Sequence, residues 1–345
     1  MKIEISLCAI KRNLDRLAAH TGKRLILMVK ADAYGHGLIR VARAVPSPYY
    51  GVATEQEGIA LRALGKEVLV TAPSPFGAEL LKRYDMIPLI GEKAVAERAA
   101  ALGLRRCHIK VNSGMNRLGF SGEKECYRMA KLLLEAGVSV QGIATHYKED
   151  SPENLLSQNS AFDRAVQAIK KAAYEHGACE KIFTHVTGSG ALRAKSYDCL
   201  RVGLAAYGYH AGYYTAGVPL EKAMRVTTEI IKVKSLPKGE SLGYGGNYRA
   251  SRPVMAYTVL GGYGDGIARS EVGRKVLAAG RRHSIAAVCM DSFEMVSDRV
   301  LPVGTKVTVL SEALDADAVA KHRNTIPYEV LLGYNVPRAE RIYDE

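Results

Sequence analysis

A lysine sits where an apolar run stops: Arg24-Leu25-Ile26-Leu27-Met28-Val29 leads into Lys30-Ala31-Asp32-Ala33-Tyr34-Gly35-His36-Gly37. The run has strand length, and Leu38–Val45 behind it carries helical spacing. Lys30 thereby falls at the carboxyl end of a buried strand, the end at which open sheets and βα barrels hold ligands. Apolar flanks with no acidic run nearby favour partial desolvation, which lowers an amine's pKa and frees it for a Schiff base with an aldehyde cofactor. Tyr34 adds a phenol, and Gly35 and Gly37 permit a tight turn and close approach to an anion. A lone lysine at a strand end more often snorkels to solvent. The Ala-Tyr-Gly-His-Gly that follows shifts the balance toward chemistry.

A lysine used this way needs a scaffold. After a helical stretch, Ala9–Ala19, candidate strands are Leu25–Val29, Tyr50–Ala53, Val68–Thr71, Met86–Leu89, Cys107–Val111, Val138–Ala144, Lys181–His185 and Cys199–Leu204. The spacing predicts helices over Leu38–Val45, Glu55–Leu64, Gly77–Tyr84, Lys93–Leu102, Glu123–Ala136 and Leu156–Glu175. Eight βα repeats in about 210 residues match a slightly compact TIM-type (β/α)8 barrel, with a doubly wound open sheet as the alternative. After about Gly217 the texture changes to alternation: Met224–Val233, Val254–Leu260, Ser284–Met290, Thr305–Leu310 and a closing Ala339–Tyr343, with glycines and turn residues between. The chain therefore reads as α/β, residues 1–217 forming a cofactor-binding barrel and 218–345 a separate, mainly β domain.

In a barrel, functional groups collect at the carboxyl ends of the strands. After the fifth strand, Lys110-Val111-Asn112-Ser113-Gly114-Met115-Asn116-Arg117 brings Arg117 out on a glycine-flexed loop. The sixth ends in Thr145-His146, the seventh in His185-Val186-Thr187-Gly188-Ser189-Gly190, and the eighth carries Arg201-Val202-Gly203-Leu204. Each has an ordinary explanation alone: a surface charge, a satisfied core histidine, a helix N-cap serine. Their gathering at one end of one barrel points to a site.

Composition limits the alternatives. A chain of 345 residues with 48% hydrophobic and 24% charged residues suits a globular protein with a sizeable core. The net charge of +13 is dispersed without a dense basic stripe or interleaved aromatics, which argues against nucleic acid and for a mild attraction to anionic substrates. Six cysteines form no C-x-x-C pair, and no signal peptide or membrane span is expected, so a reducing cytoplasm fits best.

The segment Lys30–Gly37 resembles the cofactor-lysine motif of the alanine racemases, pyridoxal-phosphate enzymes built from a barrel and a C-terminal β domain. Lys110–Gly119, Thr145-His146, Arg201–Gly208, Ser241–Tyr248, Gly262–Gly266, Cys289-Met290-Asp291 and Pro327-Tyr328-Glu329 resemble that family's other blocks, in the same order. The resemblance implies interconversion of L- and D-alanine on pyridoxal 5'-phosphate by two bases. Lys30 would hold the cofactor and serve as the base for the D-isomer, with Tyr244 opposing it for the L-isomer. A free tyrosine has a pKa of about 10 and needs nearby positive charge, which His146 and Arg201 would supply, with His185 bonded to the same arginine.

Arg201 would also face the pyridine nitrogen, where it donates a hydrogen bond without protonating the ring and so discourages transamination. Tyr34, Ser189, Tyr328 and the amides of Gly203 and Leu204 would hold phosphate. Arg117 and the amide of Met290 would take the substrate carboxylate, Lys110, which matches a lysine often carbamylated in the family, would orient the arginine, and Tyr263 would narrow the pocket mouth. Tyr244, Tyr263, Met290 and Asp291 would act across a homodimer, and the product would be D-alanine for cell-wall synthesis.

Several positions depart from the pattern. The chain is shorter than the family leads one to expect, Asp32 stands where asparagine is usual, Asn112 where aspartate is usual, and Thr187-Gly188 precedes the phosphate serine. A serine or broad-specificity amino-acid racemase on the same fold is the alternative. A decarboxylase of the same barrel class would show a glycine-triplet loop and a cysteine-bearing loop, neither of which is found, and a non-catalytic cofactor-binding relative usually lacks the second domain.

Overall fold

The computed structural model describes residues 1–149, 151–178, 181–187, 197–210 and 217–344. The chain begins with β1 (Lys2–Ile5) and α1 (Leu7–Thr21), whose first turn is capped by Ser6 Oγ accepting from the Ala9 amide at 3.0 Å. The next strands are β2 (Arg24–Met28), β3 (Tyr50–Val52), β4 (Val68–Val70), β5 (Ile87–Ile90), β6 (Arg106–Asn112) with its short neighbour β7 (Phe120–Ser121), β8 (Ser139–Thr145), β9 (Phe183–Thr187) and β10 (Cys199–Val202). Every pairing in this sheet is parallel. The order runs from β2 through β3, β4, β5, β6, β8, β9 and β10 back to β2, which closes the barrel. Strands such as Tyr-Gly-Val and Val-Leu-Val are buried throughout, as parallel strands covered on both faces must be. Around the barrel lie α2 (Lys30–Tyr34), α3 (Leu38–Ala44), α4 (Glu55–Arg62), α5 (Ala78–Arg83), α6 (Lys93–Leu102), α7 (Gly122–Glu135) and α8 (Pro152–Glu175).

The second domain is an eight-stranded sheet of β11 (Met224–Leu236), β14 (Val254–Leu260), β15 (Lys275–Ala278), β16 (Arg281–Val288), β17 (Ser292–Ser297), β18 (Lys306–Leu310), β19 (Glu340–Tyr343) and the N-terminal β1. A small ribbon, β12 (Ser241–Leu242) with β13 (Tyr248–Arg249), projects from it, and α9 (Ala316–Arg323) and α10 (Pro327–Gly333) lie between β18 and β19. One expectation needs correcting. Residues 1–217 were assigned to the barrel, yet β1 pairs antiparallel with β11 and parallel with β19. Its alternation explains why: Ile3 and Ile5 face the second domain's core beside Val226 and Ile230, whereas barrel strands are buried on both faces. Among the described residues no helix is long and apolar enough to cross a membrane.

Candidate active site

Lys30 stands two residues beyond the end of β2, and the backbone then does something unusual. Ala31, Asp32, Ala33 and Tyr34 all have φ between 51° and 56°, a single left-handed helical turn made without glycine. Each such residue costs about 1–2 kcal/mol relative to right-handed backbone, so the turn persists only because its surroundings over-determine it. Glu57 Oε1 accepts from the Ala31 amide at 2.7 Å, and Asp32 Oδ1 accepts from the Leu38 amide at 2.7 Å. The buried His36 lies 3.1 Å and 3.0 Å through Nδ1 from the carbonyls of Ala33 and Tyr34. Carbonyls only accept, so Nδ1 carries the proton; burial pushes the His36 pKa down to about 4 and keeps the ring neutral.

The second domain presses on this turn from outside. Arg341 of β19 pairs with Asp32 at 2.7 Å, and a Cβ on Gly37 (φ +91°) would fall 2.1 Å from the Tyr343 hydroxyl. Tyr328 of α10 stacks obliquely on Tyr34, ring centroids 5.8 Å apart. The sequence motif draws attention to Lys30 but does not show that Glu57, His36 and Arg341 brace its turn. A residue's ability to reach a strained turn from elsewhere in the fold leaves no local pattern.

The barrel mouth opens into a cavity of about 550 Å³. Lys30, Tyr34, Lys110, Arg117, His146, Arg201, Gly203, Leu204 and Tyr328 all line it, with Thr187, Ile326 and other neighbours. Lys30, Lys110, Arg117 and Arg201 bring positive charge, and no described residue lining the cavity is acidic. Such a wall suits an anionic ligand. The Tyr34 hydroxyl lies so close to Gly203 that a Cβ there would come within 2.3 Å of it, which leaves room for backbone and phenol together but for no side chain.

Crowded cations depress one another. Burial lowers the Lys30 pKa, helped by Arg117 and Arg201 and opposed by Glu57. Lys110 is pushed down to about 8 by burial and then by Arg201, Arg117 and Lys30. His146 falls to about 3 for the same reasons. Arg201 is buried, its Nη1 2.6 Å from His185 Nδ1 and 3.1 Å from the His185 carbonyl, while Nη2 donates to the Thr145 carbonyl. Burial takes its pKa to about 10, so it remains a cation.

The loop that presents Arg117 is organised by Asn112. Its Oδ1 accepts from the amides of Gly114 and Asn116, and its Nδ2 donates to Asn116 Oδ1 at 2.8 Å and Ser121 Oγ at 3.0 Å. The second role needs a donor, which an aspartate at this position would lack.

The remaining predicted residues lie elsewhere. Ser189, with Gly188, is outside the described residues. Tyr244, Tyr263, Met290 and Asp291 are exposed in the second domain, and none lines the cavity of its own chain. Two of their loops form one unit: the Tyr263 amide donates to the Cys289 carbonyl at 3.0 Å and the Gly264 amide to Met290 at 3.0 Å. Arg338 clasps both, donating to Asp265 at 2.6 and 2.7 Å and to Asp291 at 3.0 Å.

Models of the alanine racemase N-terminal and C-terminal domains match residues 5–211 and 223–343. An alanine racemase of Streptococcus pneumoniae (strain Hungary19A-6) is 31% identical over 363 residues, covering 98% of this chain and 97% of the relative. One from Thermodesulfovibrio yellowstonii is 30% identical, covering 99% and 97%. The solved alanine racemase of Bacillus anthracis, with bound L-Ala-P, matches with a TM-score of 0.89 at 27% identity, covering 100% of this chain and 95% of that one. With both domains matched in order and along almost their whole length, the chain belongs to the alanine racemase family.

Proposed function

We propose that the protein interconverts L- and D-alanine with pyridoxal 5'-phosphate held in the barrel cavity. The observation that carries this reading is Lys30, its pKa lowered, in a cavity lined by four cationic side chains and no described acid. Pyridoxal phosphate, when bound, supplies an aldehyde to react with amines and a conjugated ring that takes up charge from a substrate's α-carbon. Tyr34, Tyr328 and the amides of Gly203 and Leu204, together with Ser189, would hold its phosphate, and Arg201 would face its ring nitrogen. Arg117 orients the substrate carboxylate. Lys30 Nζ removes or returns the α-proton on one face, and the hydroxyl of Tyr244 of the partner subunit does so on the other.

Exposure of Tyr244, Tyr263 and Met290 away from their own cavity supports action across a homodimer, with the partner's Met290 amide and Tyr263 closing the pocket. Lys110 fits carbamylation, which needs a neutral amine and would place an anion among the cations; its pKa of about 8 leaves such an amine available near neutral pH. An unmodified mass for Lys110 at ambient carbon dioxide would exclude it. Alanine is favoured over serine by the names of the relatives, and the buried free thiols of Cys107, Cys126 and Cys199 suit a cytoplasmic setting in which D-alanine is made for the cell wall.

The test is exchange in deuterated water. Both L- and D-alanine should lose optical rotation and gain α-deuterium, and borohydride should fix the cofactor to Lys30. Tyr244→Phe should lose exchange from the L side; exchange unchanged from both sides would reject the pairing of bases.

A further inference from the structure

Arg201 is held by a longer chain of buried groups than its contact with His185. On the far side of that ring, His185 Nε2 lies 3.0 Å from His108 Nδ1, and both histidines are fully buried in the barrel interior. The chemistry of the donors fixes the direction of every bond. A guanidinium has no acceptor, so His185 Nδ1 must offer its lone pair to Arg201 Nη1. The proton of a neutral His185 then sits on Nε2 and is donated to His108 Nδ1, which places the His108 proton on Nε2.

That last N–H has no hydrogen-bond partner among the described residues. An unpaired buried donor is a standing cost, and here it ends a chain that contains no carboxylate. The neighbourhood is built to seat this ring. Phe183 packs edge-on against His108 with centroids 4.9 Å apart, and Tyr49 does so at 6.2 Å. On the adjoining strand Gly142 leaves the space: a Cβ there would approach His108 Cγ to 2.8 Å.

We propose that His108 is a positioning residue for Arg201: by accepting from His185 it fixes the tautomer that accepts from the guanidinium, and so directs the arginine's charge into the cavity. Burial chiefly keeps either ring from gaining a proton, and the charges facing the pair, Arg201 on β10 and, at His108, Arg106 on β6, are positive and add to it. A relay of neutral rings leaves the positive charge on Arg201. A carboxylate in the place of His108 would draw a proton onto His185 and compete for the arginine.

The proposal rests on Arg201 facing the cofactor ring, and the test separates the two. Nitrogen-15 NMR of the full-length protein, labelled at histidine and recorded before and after adding pyridoxal phosphate, should show His185 bare at Nδ1 and protonated at Nε2, unchanged from pH 5.5 to 9. A His185 that is charged, or protonated at Nδ1, overturns the proposal. His108→Leu should leave the His185 Nε2 proton without its acceptor, bring the Nδ1-protonated tautomer into exchange as the bond to Arg201 loosens, and lower kcat roughly tenfold while KM for alanine stays within about twofold, the size expected for losing one hydrogen bond. His108→Asn, whose side-chain oxygen can accept in the same place, should restore both, and Gly142→Ala should repeat the leucine effect by displacing the ring. A tautomer indifferent to His108→Leu overturns the proposal as well. Failure of the wild-type protein to form a yellow complex would instead remove the reading of the cavity and leave the tautomer result standing.

Discussion

The two regions that the sequence assigned to one site are built in opposite ways. At the barrel mouth Arg201 is 4% exposed and Lys110 5%, and the turn behind Lys30 is braced from three sides. On the second domain Tyr244 is 81% exposed, Met290 55% and Tyr263 44%. Large apolar groups left on a surface beside glycine-rich turns are costly to solvate and mark a surface meant to be covered. The described barrel residues converge on one cavity within one chain, and those of the second domain are presented outward, which is the arrangement expected of a site shared between copies.

The sharpest way to break this contrast is at Lys30. Lys30→Ala should abolish the yellow complex and lower turnover by about 10³-fold or more, since it removes both a covalent anchor and a base. Tyr244→Phe should cost about 10²–10⁴-fold in exchange from L-alanine and leave the cofactor's absorbance unchanged. If it altered the absorbance instead, Tyr244 would belong to the barrel half.

Acid should act on the barrel. His36, His108 and His146 are held near 4, 3 and 3, below the ordinary 6.5, and burial lowers His185 too. Between pH 6.5 and about 4 the unfolded chain binds protons that the folded barrel refuses, so stability present above 6.5 is lost as pH falls, by about 1.4 kcal/mol per pH unit for each such histidine. Hydrogen exchange at descending pH should show barrel strands losing protection across this window; protection flat from 6.5 to 4 would contradict it. The smallest effect is expected at Arg338, whose exposed ion pairs join the Tyr263 and Met290 loops. Arg338→Gln should raise KM for alanine about threefold and leave the cofactor spectrum alone.

Much of the architecture was legible because parallel strands buried on both faces read as short apolar runs between helical periods. All eight barrel strands were anticipated, as was the change of texture after Gly217. Nothing local says which sheet a strand joins, and β1 crosses to the second domain. The site was legible where motifs are contiguous, as at Lys30–Gly37. It was not legible where a residue acts through the fold: four left-handed residues in a row cannot be read from Ala-Asp-Ala-Tyr, of which only the aspartate visits that backbone readily, and His108 gave no sign of its bond to His185 across 77 positions.

The proposed sharing of the site is tested most directly by mixing two crippled proteins. Lys30→Ala and Tyr244→Phe subunits, each inactive toward L-alanine alone, should on dissociation and reassembly form hybrids in which one site pairs an intact Lys30 with an intact Tyr244. Recovery to about a quarter of wild-type activity is the expected result, since half the dimers are hybrids with one good site of two. No recovery in a mixture shown by mass to contain hybrids would contradict the sharing of the two bases between subunits.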